Sequence, residues 1–148
     1  MSGAGSIGAS FSAAACRRGV GAALLLLLIG LLPLSSVADD FQTPAISPAE
    51  LNDRLASQDK PLLVDLRDPV EFRIAHVPGA VNIPQPDLDK HLPEIEGNRA
   101  VVLYCIVGRR TKLAEQLLID HDVPNVFHLK GGLTGWMDAG FPIVKGGG

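Results

Sequence analysis

Beyond residue 45, short continuous apolar runs alternate with stretches in which apolar residues recur at helical spacing. The runs 61–66, 80–83, 101–104 and 125–129 read as strands. The first carries one carboxylate, Asp65, near its end, and the third holds no charged residue, which is the pattern of strands covered on both faces. Two helix starts share one grammar. Ser47-Pro48-Ala49-Glu50 and Asp68-Pro69-Val70-Glu71 each place a cap residue, a proline at the first helical position and a glutamate three after the cap. The first helix is expected to reach about Ser57 with Leu51 and Leu55 inward, and the second to reach about Ile74, where His76-Val77-Pro78-Gly79 breaks it. A brief helix over 86–92 and a polar loop over 93–98 follow. From Arg109 to Asp120 the spacing predicts a helix with Leu113, Ala114, Leu117 and Leu118 as its core stripe. Gly131-Gly132 then turns the chain into a short helix that carries Trp136 and ends at Gly140. Strands alternating with helices predict an α/β fold, a mainly parallel sheet with helices on both faces, whose ligands bind outside the carboxyl ends of the strands.

Residues 1–38 differ in kind. They contain no Asp or Glu, carry Arg17-Arg18, run almost wholly apolar from Gly19 to Leu34 and finish on Ser36-Val37-Ala38 before Asp39-Asp40. A basic segment, an apolar segment and a small-x-small site make an export signal, so cleavage after Ala38 and a periplasmic or exported mature chain are expected. An uncleaved membrane anchor through residues 19–34 is the alternative; that run includes Pro33 and is shorter than the about 20 residues that span a bilayer. Residues 39–45 then form a polar lead-in, mobile after processing, residues 46–144 the folded domain, and residues 145–148 a disordered tail.

This division changes how the composition is read. The 47% hydrophobic content is inflated by the leader, which also removes two of the 13 Lys+Arg and none of the 16 Asp+Glu. What remains is more acidic than the whole chain's −3, a balance that argues against nucleic-acid binding and makes Arg109-Arg110 a basic spot on an acidic body. Cys16 leaves with the leader, so the mature chain keeps Cys105 as its one cysteine, with no internal disulfide and no multi-cysteine metal site. His91, His121 and His128 are dispersed without ligand spacing, and neither a metal nor a cofactor is expected. A monomer acting on small molecules is the expected state.

Cys105 sits where a buried strand meets a helix start, in Val101-Val102-Leu103-Tyr104-Cys105-Ile106-Val107-Gly108-Arg109-Arg110-Thr111. The loop that opens a helix has N–H groups without intrahelical partners, and the positive end of the helix dipole favours an anion there. A thiolate is such an anion, and adjacent arginines favour it further. Gly108 lets the loop curl so that several amides point inward. A cysteine after an apolar strand is often just a small buried hydrophobe, but an inert one gains nothing from two adjacent cations. Two arginines are themselves unfavourable at a helix start on dipole grounds and ask for an anionic partner. Cys105 is therefore the candidate nucleophile.

Three separated motifs give the chain from about Ile46 to Val144 a resemblance to single-domain rhodaneses of the small exported bacterial kind. Val64-Asp65-Leu66-Arg67, with Glu71-Phe72 and His76-Val77-Pro78-Gly79-Ala80 through Ile83, is similar to the family's first signature; Cys105-x-x-Gly108-x-Arg110 resembles its active-site loop; Gly131-Gly132, Trp136 and Ala139-Gly140 resemble its C-terminal signature. The resemblance implies a five-stranded sheet and a sulfur relay. Cys105 would take the outer sulfur of thiosulfate, expel sulfite, and hold a persulfide that cyanide or a thiol removes. The amides of Ile106, Val107, Gly108, Arg109 and Arg110 would cradle the outer sulfur, and Arg110, helped by Arg109, would attract the dianionic donor. A basic loop suits thiosulfate better than 3-mercaptopyruvate, while Ile106-Val107 departs from the polar residues often found there. Related phosphatases and arsenate reductases place an arginine six residues after the cysteine, where this chain has Thr111. Asp65 and Arg67 are expected to pair beneath the loop as supports, His76 to hold a turn and Trp136 to anchor the core. Two other roles compete with an exported thiosulfate sulfurtransferase: a persulfide carrier that serves a partner protein with low turnover of small donors, and a thiol redox sensor.

Overall fold

The computed structural model describes residues 40–146; the expected leader, Cys16, the expected cleavage site and residues 147–148 lie outside the described residues. Its strands are β1 (Ala45–Ile46), β2 (Leu62–Asp65), β3 (Val81–Asn82), β4 (Val101–Tyr104) and β5 (Val126–Leu129). They form one sheet in the order β1-β5-β4-β2-β3, with every pairing parallel. The helices are α1 (Pro48–Ala56), α2 (Pro69–Ile74), α3 (Leu92–Glu96), α4 (Arg109–Asp120) and α5 (Gly132–Asp138), with a 3₁₀ helix at Gln85–His91. Among the described residues no helix is long and apolar enough to cross a membrane.

The central strand decides which way the site faces. All four residues of β4 are buried, and their side chains alternate between two cores. Val101 and Leu103 enter the core that holds Val64, Leu88, Ile95, Ala114 and Leu118, under α3 and α4. Val102 and Tyr104 enter the opposite one, with Leu51, Leu63, Leu133 and Trp136, under α1 and α5. This two-sided burial is why β2 and β4 read as unbroken apolar runs rather than as alternating ones.

Four expectations are corrected. β1 has only two residues, pairs Ala45 and Ile46 with His128 and Leu129, and stands where the polar lead-in is expected to meet the domain. Its neighbours in the lead-in are held: Gln42 and Thr43 hydrogen-bond into α4, so this part of the lead-in is not mobile. The supposed loop over 93–98 contains α3, because Pro93 stands in its first turn and Leu92 and Ile95 are drawn into the core. In α4 the buried face carries Thr111, Ala114, Glu115 and Leu118, while Leu113 is 61% exposed. The stripe is thus turned so that Leu113 faces outward beside the Cys105 loop. At the other end of the chain, Val144 bridges His76 and Gly146 N–H donates to Arg73 O.

Candidate active site

Cys105 directly follows β4 and continues its alternation into the core beneath α4. Gly108, at φ 103, adopts the left-handed conformation that turns the chain into that helix. Its N–H donates to Cys105 Sγ at 3.0 Å. The amides of Arg110 and Thr111, in the first turn of α4 and so without intrahelical acceptors, and the Thr111 hydroxyl lie near enough to the sulfur to favour its anionic form. Thr111 Oγ1 is buried and has no hydrogen-bond partner among the described residues, so its dipole is left to act on the nearby sulfur. Gly108 has no side chain with which to cap α4, and the sulfur of Cys105 takes the place of one.

The electrostatic consequence has a definite sign. Burial, the largest influence, pushes the Cys105 thiol up; the Thr111 hydroxyl and the amides of Thr111, Gly108 and Arg110 together outweigh it and hold the thiol below its usual range. The loop is fixed from behind by α5. Leu133 N–H donates to Cys105 O at 2.8 Å and Thr134 N–H to Ile106 O at 3.2 Å. Because a trans peptide points its carbonyl and its N–H in opposite directions, tying these carbonyls to α5 also sets the direction of the amides that follow them. Gly132 permits this approach: a Cβ there would lie 2.5 Å from Cys105 O and 2.6 Å from Ile106 O.

Cys105, Ile106, Val107, Arg109, Arg110 and Leu113 line a cavity of about 290 Å³. Cys105 is only 1% exposed and forms its floor, whereas Ile106 and Val107, at 41% and 63%, stand at the mouth. The two arginines are placed differently. Arg110 Nη1 lies 2.7 Å from Glu71 Oε2, and its Nη2 lies 3.6 Å from Asp68 Oδ2, so its charge is engaged by the start of α2. Partial burial pushes the Glu71 carboxyl up, but the Arg110 hydrogen bond and charge prevail and hold it below the usual carboxylate range. Arg109 is exposed and has no partner among the described residues. The freer cation at the mouth is therefore Arg109.

Asp65 and Arg67 form a buried pair, with Nη2 to Oδ2 at 2.6 Å. Arg67 also donates to Ala75 O, and Asn82 Nδ2 donates to the carbonyls of Asp65 and Arg67. Burial alone would lower the Arg67 pKa; hydrogen bonding and charge from Asp65 raise it above its usual value. The pair supports the chain beside Tyr104, whose carbonyl accepts from Leu66 N–H and whose hydroxyl accepts from Val77 N–H. His76 lies in a structural turn: its ring stacks on Phe72 with centroids 3.7 Å apart, and Nδ1 bonds Phe72 O at 2.8 Å. Trp136 is buried and donates from Nε1 to Pro142 O. Among the described residues no group of His, Cys, Asp and Glu is placed to hold a metal ion. A larger cleft of about 480 Å³, lined by Leu55, Lys60, Pro61, Pro78 and Trp136 among others, shares no residue with the Cys105 cavity. Thr111 and Gly132 act on the loop in ways that residue pattern did not disclose, since one contact spans six positions and the other crosses between elements far apart in the chain.

A model described as the Rhodanese-like domain matches residues 47–139. A protein of Allochromatium vinosum named as a sulfurtransferase is 35% identical over 99 residues, which cover 67% of this chain and 92% of that protein. An uncharacterized protein of Synechocystis is 41% identical over 68% of this chain and 55% of that protein, so the chain spans about half the length of that relative. Among solved structures, that of thiosulfate sulfurtransferase from Pseudomonas aeruginosa aligns with a TM-score of 0.65 at 25% identity, over 71% of this chain and 21% of that one. The family match runs from the cap of α1 to the end of α5 and takes in every strand except β1, and on that match the chain belongs to the rhodanese-like domain family.

Proposed function

We propose that the chain is a sulfurtransferase in which the Cys105 thiolate attacks the outer sulfur of thiosulfate. A sulfur–sulfur bond forms to Cys105, the bond to the sulfonate sulfur breaks, and sulfite departs with the electron pair. The persulfide's outer sulfur then passes to cyanide, giving thiocyanate, or to a thiol, and the Cys105 thiolate is restored. Membership of the rhodanese-like family and relatives named as sulfurtransferases support the reaction class. The observation that carries the reading is the sulfur in the cap position of α4, held below its usual pKa by inward amides at the floor of a cavity with Arg109 at its mouth. Those amides also face the place where negative charge gathers on the outer sulfur.

The test is intact mass spectrometry after exposure to thiosulfate. The wild type is expected to gain one sulfur atom, to lose it to cyanide as thiocyanate, and to lose the capacity altogether in Cys105→Ser; a wild-type mass unchanged by thiosulfate sinks the proposal. Cys16 is present in both proteins, so their difference reports Cys105. A carrier role is favoured by one feature, the exposed apolar rim of Ile106, Val107 and Leu113, which suits a larger thiol partner. It predicts stoichiometric persulfide with slow thiocyanate turnover. Export belongs to the same reading, and N-terminal sequencing of the protein recovered from the cell is expected to begin at Asp39; a chain beginning at Met1 would instead support the membrane anchor.

A further inference from the structure

We propose that residues 41–43 are a clasp that positions the Cys105 loop, making Phe41, Thr43 and Glu115 positioning residues for the nucleophile. This rests on the reading of Cys105 as a reactive thiolate.

The first hold is on Gly108, the residue whose N–H reaches the sulfur. A Cβ at that position would lie 2.6 Å from Phe41 Cζ, so the ring closes over the glycine with room for hydrogen alone. Phe41 is fixed in turn: it stacks on His128 of β5 with centroids 3.9 Å apart, and Lys112 Nζ of α4 lies 5.1 Å from its centroid.

The second hold is a buried carboxylate. Glu115 is 1% exposed and stands one helical turn after Thr111, on the same face of α4. Its Oε1 accepts from Gln42 N–H at 2.7 Å, and its Oε2 from Thr43 N–H at 3.2 Å and Thr43 Oγ1 at 2.7 Å. The Gln42 side-chain amide also reaches Gln116. Thr43 has one hydroxyl hydrogen and gives it to Glu115, so at 3.1 Å the hydrogen shared with His128 must come from Nδ1. A carboxylate shut away from water is costly unless its acceptors are filled, and among the described residues every donor bonded to Glu115 comes from residues 42–43. Glu115 is thus satisfied when the segment is docked. Docking in turn sets the Phe41 ring against Gly108, ties the second turn of α4 to β5 through Thr43, and holds both ends of 108–115, the stretch that carries the Gly108 N–H to the sulfur and Thr111 beside it.

The test measures the rate at which iodoacetamide alkylates Cys105 across pH, in the full chain and with peptide-level mass spectrometry to separate it from Cys16. Phe41→Leu and Thr43→Val are expected to move the midpoint of the profile upward and slow alkylation at pH 7 by about threefold or more, since each tenfold change follows a unit of pKa. Thr43→Ser, which keeps the hydroxyl, should restore the wild-type profile. Melting temperatures that fall while every midpoint stays at the wild-type value overturn the clasp, as does a Thr43→Ser profile no better than Thr43→Val. Phe41→Leu leaves each buried hydrogen bond in place and decides the matter if Thr43→Val does not fold. Sulfur uptake from thiosulfate is read separately. Clasp variants that shift the midpoint of a wild type that takes up no sulfur would support the clasp and end the sulfurtransferase reading, while normal uptake with unmoved midpoints would do the reverse.

Discussion

One methyl group at residue 132 tests how the nucleophile loop is held. Gly132 has φ +60, and a Cβ would overlap the carbonyls of Cys105 and Ile106. Gly132→Ala is therefore expected to destabilise the fold by about 1–3 kcal/mol through backbone strain and steric overlap. Because α5 sets the direction of the loop amides, the same change should also slow alkylation of Cys105; urea unfolding beside alkylation kinetics checks both, and a variant of native stability would show that the contact yields freely. The arginines divide differently from their order in the motif. Arg109→Ala should raise KM for thiosulfate several-fold, as expected for about 1 kcal/mol of exposed charge attraction, with kcat little changed. Arg110→Ala should act mainly through stability, since its guanidinium is spent on Glu71 and Asp68. A larger KM effect at Arg110 than at Arg109 in steady-state assays would reverse this assignment.

At the scale of elements, the start of α2 is joined to the start of α4 through Glu71 and Arg110. Glu71 also accepts from Asp68 N–H at 3.4 Å, so the same carboxylate closes a capping box and holds the neighbouring helix. Its folded pKa is depressed, so its contribution to stability is complete above the unfolded value of about 4.3 and is lost as pH falls through the folded value. Glu71→Gln keeps a capping acceptor and removes the charge. It is expected to cost about 0.5–1 kcal/mol at neutral pH, the scale of a part-exposed ion pair, and nothing once the pH is below the folded Glu71 pKa. Denaturation of both proteins across that range measures the difference; a gap that persists undiminished in acid would mean that the charge is not its source. The capping grammar that made these helix starts readable works through residues three apart, and α1 and α2 begin where it places them. Elements settled by distant partners were harder to read. β1 is too short to show a period and exists because β5 offers it an edge, and α3 was obscured by a proline that starts a helix as readily as it ends one. In α4 the hydrophobic stripe misplaced Leu113, because the helix turns Thr111 to the sulfur and Glu115 to Thr43 instead, polar contacts that no hydrophobic pattern registers. The same holds at the site: Cys105, Gly108 and the helix start are contiguous and could be read, whereas the roles of Gly132, Arg109 and Arg110 depend on α5 and α2.

The whole molecule sets a small cationic site within an acidic body: 16 Asp+Glu face 13 Lys+Arg, two of which lie within residues 1–38. An anion approaching Cys105 therefore meets two fields of opposite sign and different reach. Charges spread over the body act from many ångströms away, while Arg109 acts at the mouth itself. Salt separates them, because the screening length falls from about 30 Å at 0.01 M to about 10 Å at 0.1 M and about 3 Å at 1 M. The first step removes the repulsion of the body and leaves Arg109 effective; the second removes Arg109 as well. Alkylation of Cys105 by iodoacetate, an anion, should consequently quicken between the two lower salt concentrations and slow again at the highest, while neutral iodoacetamide stays nearly level. In Arg109→Ala the early rise should remain and the later fall should disappear. A wild-type iodoacetate rate that only falls with salt would mean that the acidic body exerts no repulsion at the mouth, and one that only rises would mean that Arg109 draws no anion toward the sulfur.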